Sequence, residues 1–106
     1  MLIEMNFRPA AGREIDKRRP AIVLSPVSYN RPTGFCLAVP TTSDLTPGPF
    51  WIPMPPGYLP LPGLVLCDYV RSVDYRDRSA MFLNRVPTEL VEQIVSITLD
   101  LVDPIA

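Results

Sequence analysis

Arg19-Pro20-Ala21-Ile22-Val23-Leu24-Ser25-Pro26 is the stretch on which the fold turns. Its residues 21–24 are a short apolar run, β-branched at Ile22 and Val23 and closed by proline on both sides, so they read as a well-covered strand. Upstream, Ile3, Met5 and Phe7 alternate with Glu4 and Asn6 over residues 2–7, the pattern of a half-buried strand that Pro9 and Gly12 then stop. The intervening loop, residues 8–19, holds Arg8, Arg13, Lys17, Arg18 and Arg19.

Downstream the punctuation continues. A turn at Asn30-Arg31-Pro32-Thr33-Gly34 leads to a strand over 35–39, and Thr46-Pro47-Gly48-Pro49 leads to another over 50–54. Residues 64–73 and 81–86 supply two more. Half of the 14 prolines fall between Pro47 and Pro62, which makes that stretch a rigid exposed loop. In the last segment Leu90, Ile94, Ile97 and Leu101 recur at helical spacing, flanked by Val91, Val95 and Val102, while Glu89, Glu92, Gln93, Ser96 and Asp100 face away. An amphipathic helix therefore starts near Thr88, with Pro87 before it and Glu89 favouring its dipole. The fold class is mainly β (α+β): a small, partly open β-barrel or strongly bent sheet with a C-terminal amphipathic helix laid over it. With 106 residues, 47% of them hydrophobic, the chain 1–106 reads as one domain.

Composition narrows the chemistry. The histidine count is zero, which excludes Ser-His-Asp and Cys-His nucleophiles, His-ligated zinc, and proton shuttling between imidazoles. Cys36 and Cys67 stand far apart without companion ligands and read as buried free thiols of a reducing compartment. The first residues lack a basic segment backed by an apolar one, and the apolar runs are far short of a bilayer span, so the expected location is the cytoplasm. Net charge is −1 but lopsided: residues 1–40 carry six basic against three acidic side chains, and 81–106 one against four. Nine of the ten basic residues are arginine, the fork that grips phosphate, which leans the first half toward a polyanion.

Gly12-Arg13-Glu14, the 19–26 stretch, Tyr29-Asn30, Thr33-Gly34, Val39-Pro40-Thr41-Thr42-Ser43, Gly63-Leu64-Val65-Leu66-Cys67-Asp68, Val70-Arg71-Ser72-Val73-Asp74 and Arg85-Val86-Pro87 follow one another in an order that resembles the MazF/PemK family of toxin endoribonucleases. The resemblance spans nearly the whole chain. It implies an SH3-like or CcdB-like barrel, a homodimer, and cleavage of single-stranded RNA without metal or other cofactor. It also implies silencing by a cognate antitoxin, with operator DNA bound only through the antitoxin complex and no membrane partner. Tyr69 stands where many members carry Gln, and Leu66 where one branch carries Arg.

RNA brings its own nucleophile, the 2′-hydroxyl, so cleavage needs a base for that proton, a donor toward the leaving 5′-oxygen and positive charge on the phosphorane. Arg19 resembles the family's catalytic arginine and can hold two phosphate oxygens at once; the structural alternative is pairing with Glu14 or Asp16. Thr42 matches the second key residue, a hydroxyl at a strand end assisted by Ser43, against the alternative of local turn bonding. Glu14 is the best candidate base and Asp68, the acid the family retains, is the other; a strand-bridging role for Asp68 is equally open. Arg13, Lys17, Arg18, Ser43, Phe50, Tyr69 and Arg71 are the candidates for RNA contact, by charge or by stacking, with Trp51 beside Phe50. No metal site is expected. A reading from another class is a non-catalytic binder on the same barrel, a CcdB-like poison of gyrase. A third is an inactive member kept as an antitoxin-binding or repressor subunit.

Overall fold

The computed structural model describes residues 1–6 and 18–102. Seven strands and two helices are found there: β1 (Leu2–Asn6), β2 (Arg18–Val23), α1 (Val27–Thr33), β3 (Phe35–Thr42), β4 (Trp51–Pro53), β5 (Leu64–Leu66), β6 (Arg71–Asp74), β7 (Met81–Asn84) and α2 (Thr88–Val102). All pairings are antiparallel, in the order β4-β5-β3-β2-β1-β7, with β6 also paired to β3. Among the described residues the sheet stays open, with β4, β6 and β7 each paired on one side only, so it is bent and partly barrel-like but not closed. Pro53 fits an edge strand, where a missing N–H costs no ladder bond.

Strand β3 is the spine. Phe35 to Ala38 pair with Asp74 to Arg71 on β6, and Thr41 and Thr42 pair with Val65 and Leu64 on β5. The expected single strand over 64–73 is thus two, separated by a turn that the Tyr69 N–H closes on the Leu66 carbonyl at 3.0 Å. The gap in the ladder falls at Val39 and Pro40, where proline has no N–H to give.

Both faces of the sheet are covered. Leu2, Ile22, Val39, Val65 and Cys67 pack on one side against Leu90 and Ile94 of α2. Ile3, Met5, Ala21, Val23, Cys36, Ala38 and Val73 fill the other side. The expected alternation of Ile3 and Met5 holds, but Leu2 is also buried, on the α2 side. Helix α2 runs over the expected residues and buries Leu90 and Ile94; its apolar stripe leaves the sheet at the end, where Leu101 is 39% and Val102 64% exposed. Burial pushes both thiols up, to about 11, so Cys36 and Cys67 are free and uncharged at neutral pH.

The turn expected at residues 30–34 is instead the end of α1. Tertiary bonds hold this short helix despite Pro32: the buried Asn30 amide donates to the Ser25 carbonyl at 3.0 Å, and the Tyr75 hydroxyl donates to the Asn30 carbonyl at 3.0 Å. Gly34 ends it at φ 74°, a conformation that glycine adopts without steric cost.

Candidate active site

The register of the sheet builds the site. Ala21 lies opposite Pro40, so two residues further along each strand Arg19 falls beside Thr42. Thr42 in turn lies opposite Leu64, and Leu64 opposite Pro53. Strand alternation puts Arg19 on the face of Ala21 and Thr42 on the face of Ala38, which is the same face, the one turned away from α2.

Arg19 and Thr42, with Ser43, line a cleft of about 290 Å³ whose far wall is the proline-rich segment 59–63. Gly63 makes that wall fit: a Cβ there would sit 3.0 Å from the Thr42 carbonyl oxygen and 2.9 Å from Leu59 Cδ1. The guanidinium of Arg19 is lightly held. Its Nη1 is 3.5 Å from the Thr41 carbonyl, at the outer limit of a hydrogen bond, and its buried Nε has no partner among the described residues. A buried donor without a partner is uncommon and marks a place where an acceptor is wanted. Thr42 Oγ1 accepts the Asp44 N–H at 3.1 Å, so the expected turn bonding is present, yet its own O–H is left to donate. Thr41, on the opposite face, spends its hydroxyl on the Pro20 carbonyl at 2.9 Å and ties β3 to β2. Hydrogen bonds from the Thr46 hydroxyl and N–H hold the Asp44 carboxyl below its ordinary range.

The neighbouring candidates lie elsewhere. Arg18 borders the cleft, but its guanidinium is engaged: Nε meets Glu4 Oε1 at 2.7 Å and Nη2 donates to the Ser79 carbonyl at 2.8 Å. Asp68 is not brought into the cleft. It sits exposed in the turn after β5, where the Trp51 indole N–H donates to its Oδ1 at 2.7 Å. Tyr69 meets the Trp51 ring edge-on, with centroids 6.3 Å apart and planes at 76°. Phe50 is exposed just before β4, and Arg71 stands half-buried on β6 opposite Ala38. Arg13, Glu14 and Lys17, together with Asp16, lie outside the described residues. One feature was not singled out from sequence: Trp51 as the partner of Asp68, for which no sequence signal exists. Among the described residues no three His, Cys, Asp or Glu side chains stand together as a metal site, and no helix is long and apolar enough to cross a membrane.

A family model described as PemK-like, MazF-like toxin of type II toxin-antitoxin system matches residues 2–100. The Escherichia coli (strain K12) endoribonuclease toxin MazF is 38% identical over 93 residues, covering 88% of this chain and 82% of that protein. The crystal structure of MazF (Form-I) from Deinococcus radiodurans superposes with a TM-score of 0.87 at 39% identity, covering 94% of this chain and 90% of that one. The MazE-MazF (Form-II) structure from the same organism gives 0.79 at 35% identity, covering 94% and 88%.

Proposed function

The chain belongs to the PemK-like, MazF-like toxins of type II toxin-antitoxin systems, and from that membership we propose how its own residues cut RNA. It is an endoribonuclease. The observation that carries the mechanism is the Arg19 and Thr42 row beside the cleft, with a guanidinium Nε that finds no partner among the described residues.

A single-stranded RNA phosphate enters the cleft between Arg19 and the 59–63 wall. Arg19 takes two of its oxygens and stabilises the charge that grows on the phosphorane, a role for which the fork is suited and in which it need not release a proton. The Thr42 O–H donates to a phosphate oxygen or orients the 2′-hydroxyl, and Ser43, exposed just after Thr42, supplies a second hydroxyl toward the leaving 5′-oxygen. Glu14, from the segment before β2, takes the 2′-hydroxyl proton, and Asp68, which stands outside the cleft, does not serve as the base. The products are a 2′,3′-cyclic phosphate and a 5′-hydroxyl end, made without metal or cofactor. Arg13, Lys17 and Arg71 add charge along the strand of RNA, while Arg18 stays on Glu4 and the Ser79 carbonyl, and Phe50 and Tyr69 offer ring faces to its bases.

The unit that acts is the whole chain 1–106 as a homodimer in the cytoplasm, sealed across exposed apolar surface such as Met81, Phe82 and Leu83 on the edge strand β7. The relatives solved as MazE-MazF complexes support a cognate antitoxin, which binds operator DNA on the toxin's behalf and occludes the cleft with an acidic, flexible segment.

The test is cleavage of a long mixed-sequence RNA in excess EDTA, with both new ends mapped. Undiminished cutting that yields cyclic phosphate is expected, and a 2′-deoxy residue at the scissile position blocks it. Strict Mg²⁺ dependence, or continued cutting of the deoxy substrate, overturns the transesterification mechanism. Sedimentation of an active monomer at micromolar concentration overturns the dimer.

A further inference from the structure

Resting on the nuclease reading above, we infer that Trp51 is a positioning residue that holds the Asp68 carboxylate to read a base carrying an exocyclic amine a few nucleotides from the scissile phosphate. The two residues are 17 apart in sequence yet share the 2.7 Å bond from the indole N–H to Oδ1. Both partners of that bond are fixed from several sides. The indole lies against Gly48, where a Cβ would sit 2.7 Å from Trp51 Cδ2 and 3.0 Å from Cε2 and Cε3. Its ring also takes the Tyr69 contact at 76°. The turn bearing Asp68 is closed by the Tyr69 N–H on the Leu66 carbonyl at 3.0 Å. What remains free is the side-chain torsion of Asp68, and the indole N–H sets it.

This arrangement contributes little to stability, because Asp68 is exposed and a solvated hydrogen bond is worth little. Its location suits recognition. Trp51 lies opposite Leu66, while the Arg19 and Thr42 row continues through Leu64 to Pro53. The two rows are two residues apart, roughly 6–7 Å of strand rise, and β4 lies three strand spacings, about 14 Å, from β2. Trp51, Leu66, Arg19 and Thr42 all fall on one face of the sheet by alternation. A chain whose phosphate is held by Arg19 and which runs across the sheet toward β4 carries a base a few nucleotides along past Asp68.

A carboxylate only accepts hydrogen bonds, and one indole N–H uses one of its roughly four lone-pair sites. It therefore selects an edge that offers an amine: N6 of adenine, N4 of cytosine, or the donor edge of guanine. Uracil presents one N–H flanked by two carbonyl oxygens, which a carboxylate repels.

The experiment uses a set of short single-stranded RNAs, identical except for one base at a time among the three on each side of one scissile phosphate, cut by the full chain. Wild type is expected to cut A, C or G at one flanking position at least tenfold faster than U. Asp68→Asn, whose amide both donates and accepts, should lose most of that discrimination. Trp51→Phe keeps a ring against Gly48 but has no N–H, and should lower discrimination several-fold, by more than it lowers kcat on the best substrate. Gly48→Ala, which displaces the indole, should reproduce the Trp51→Phe profile if that variant is poorly folded. An unchanged base profile in Asp68→Asn overturns the inference, as does an equal loss of rate on every substrate. A shifted Asp68→Asn profile with Trp51→Phe and Gly48→Ala both like wild type overturns the positioning role. Wild type that cuts RNA without flanking preference overturns this inference alone, whereas wild type that cuts no RNA overturns the nuclease reading first.

Discussion

Arg18 and Arg19 are neighbours on β2, and the two faces of the sheet treat them in opposite ways. On the face toward α2, Arg18 is bound by Glu4 and the Ser79 carbonyl, and Thr41 gives its hydroxyl to Pro20. On the other face Arg19 has one long contact and an Nε with no partner among the described residues, and Thr42 keeps its hydroxyl proton. Residue types are matched pairwise, arginine with arginine and threonine with threonine, so chemistry alone cannot explain the contrast. The difference lies in what surrounds each face. Where protein partners are supplied, polar groups close the fold; where the described residues supply none beside a cleft, the same groups can meet a phosphate.

Substituting the two arginines separately is the most forceful way to break this contrast. Arg19→Ala should cut the cleavage rate by about 10²–10³, the usual cost of removing one preorganised donor to a developing oxyanion, with thermal stability close to wild type. Arg19→Lys should recover little, since a point charge cannot span two phosphate oxygens. Arg18→Ala should do the reverse, lowering Tm by a few degrees while cleavage persists. Equal loss of activity from both, measured on the same RNA under the same salt, would erase the distinction between the faces.

The threonines give the next effect in size. Thr42→Val keeps shape and removes only the hydroxyl, so the rate should fall about tenfold, one neutral hydrogen bond of roughly 1.4 kcal/mol. Thr41→Val strands the half-buried Pro20 carbonyl and should cost about 1–2 kcal/mol of stability by denaturant titration, with kcat per folded molecule retained.

How much of this contrast the sequence carries depends on the range of the interactions. Strands β1, β2 and β3 and helix α2 are legible because their signals are local: alternation at Ile3 and Met5, the β-branched run at Ile22 and Val23, helical spacing from Leu90 to Ile97. Helix α1 is not, because Asn30 and Pro32 carry turn signals and only the distant Tyr75 and the Ser25 carbonyl show why a helix forms. The division of β5 from β6 depends on Pro40, two strands away in the chain. At the site, Arg19 and Thr42 are recognised from a spaced motif, and the sheet register then brings them together. The different fate of Arg18 is invisible from sequence, since its partners Glu4 and Ser79 lie 14 and 61 residues away.

The wall of the cleft offers a smaller test. Gly63→Ala would place a Cβ against the Thr42 carbonyl, and because that neighbour is backbone, the wall must shift by some tenths of an ångström. The expected result is a KM for RNA raised several-fold with kcat less affected. An unchanged KM would mean that the open face needs no opposing wall to present Arg19.

The smallest effect comes from loosening the closed face without removing either arginine. In Glu4→Gln the side-chain oxygen can still accept from Arg18 Nε, so the 2.7 Å contact has a neutral replacement and only charge assistance is lost. An exposed ion pair of this kind is worth about 0.2–1 kcal/mol, which bounds the fall in stability. Removing one negative charge from a chain of net charge −1 should also tighten RNA binding slightly. The discriminating measurement is the salt dependence of that binding. If Arg18 stays on residue 4 and the Ser79 carbonyl, the number of phosphates neutralised is unchanged and so is the slope of log K against log salt. If the weakened clamp lets Arg18 swing to the RNA, the slope steepens by about 0.7, the increment for one more phosphate on a single strand. An unchanged slope therefore means that the backbone carbonyl is enough to retain Arg18, and that the two faces differ by geometry rather than by the single charge of Glu4.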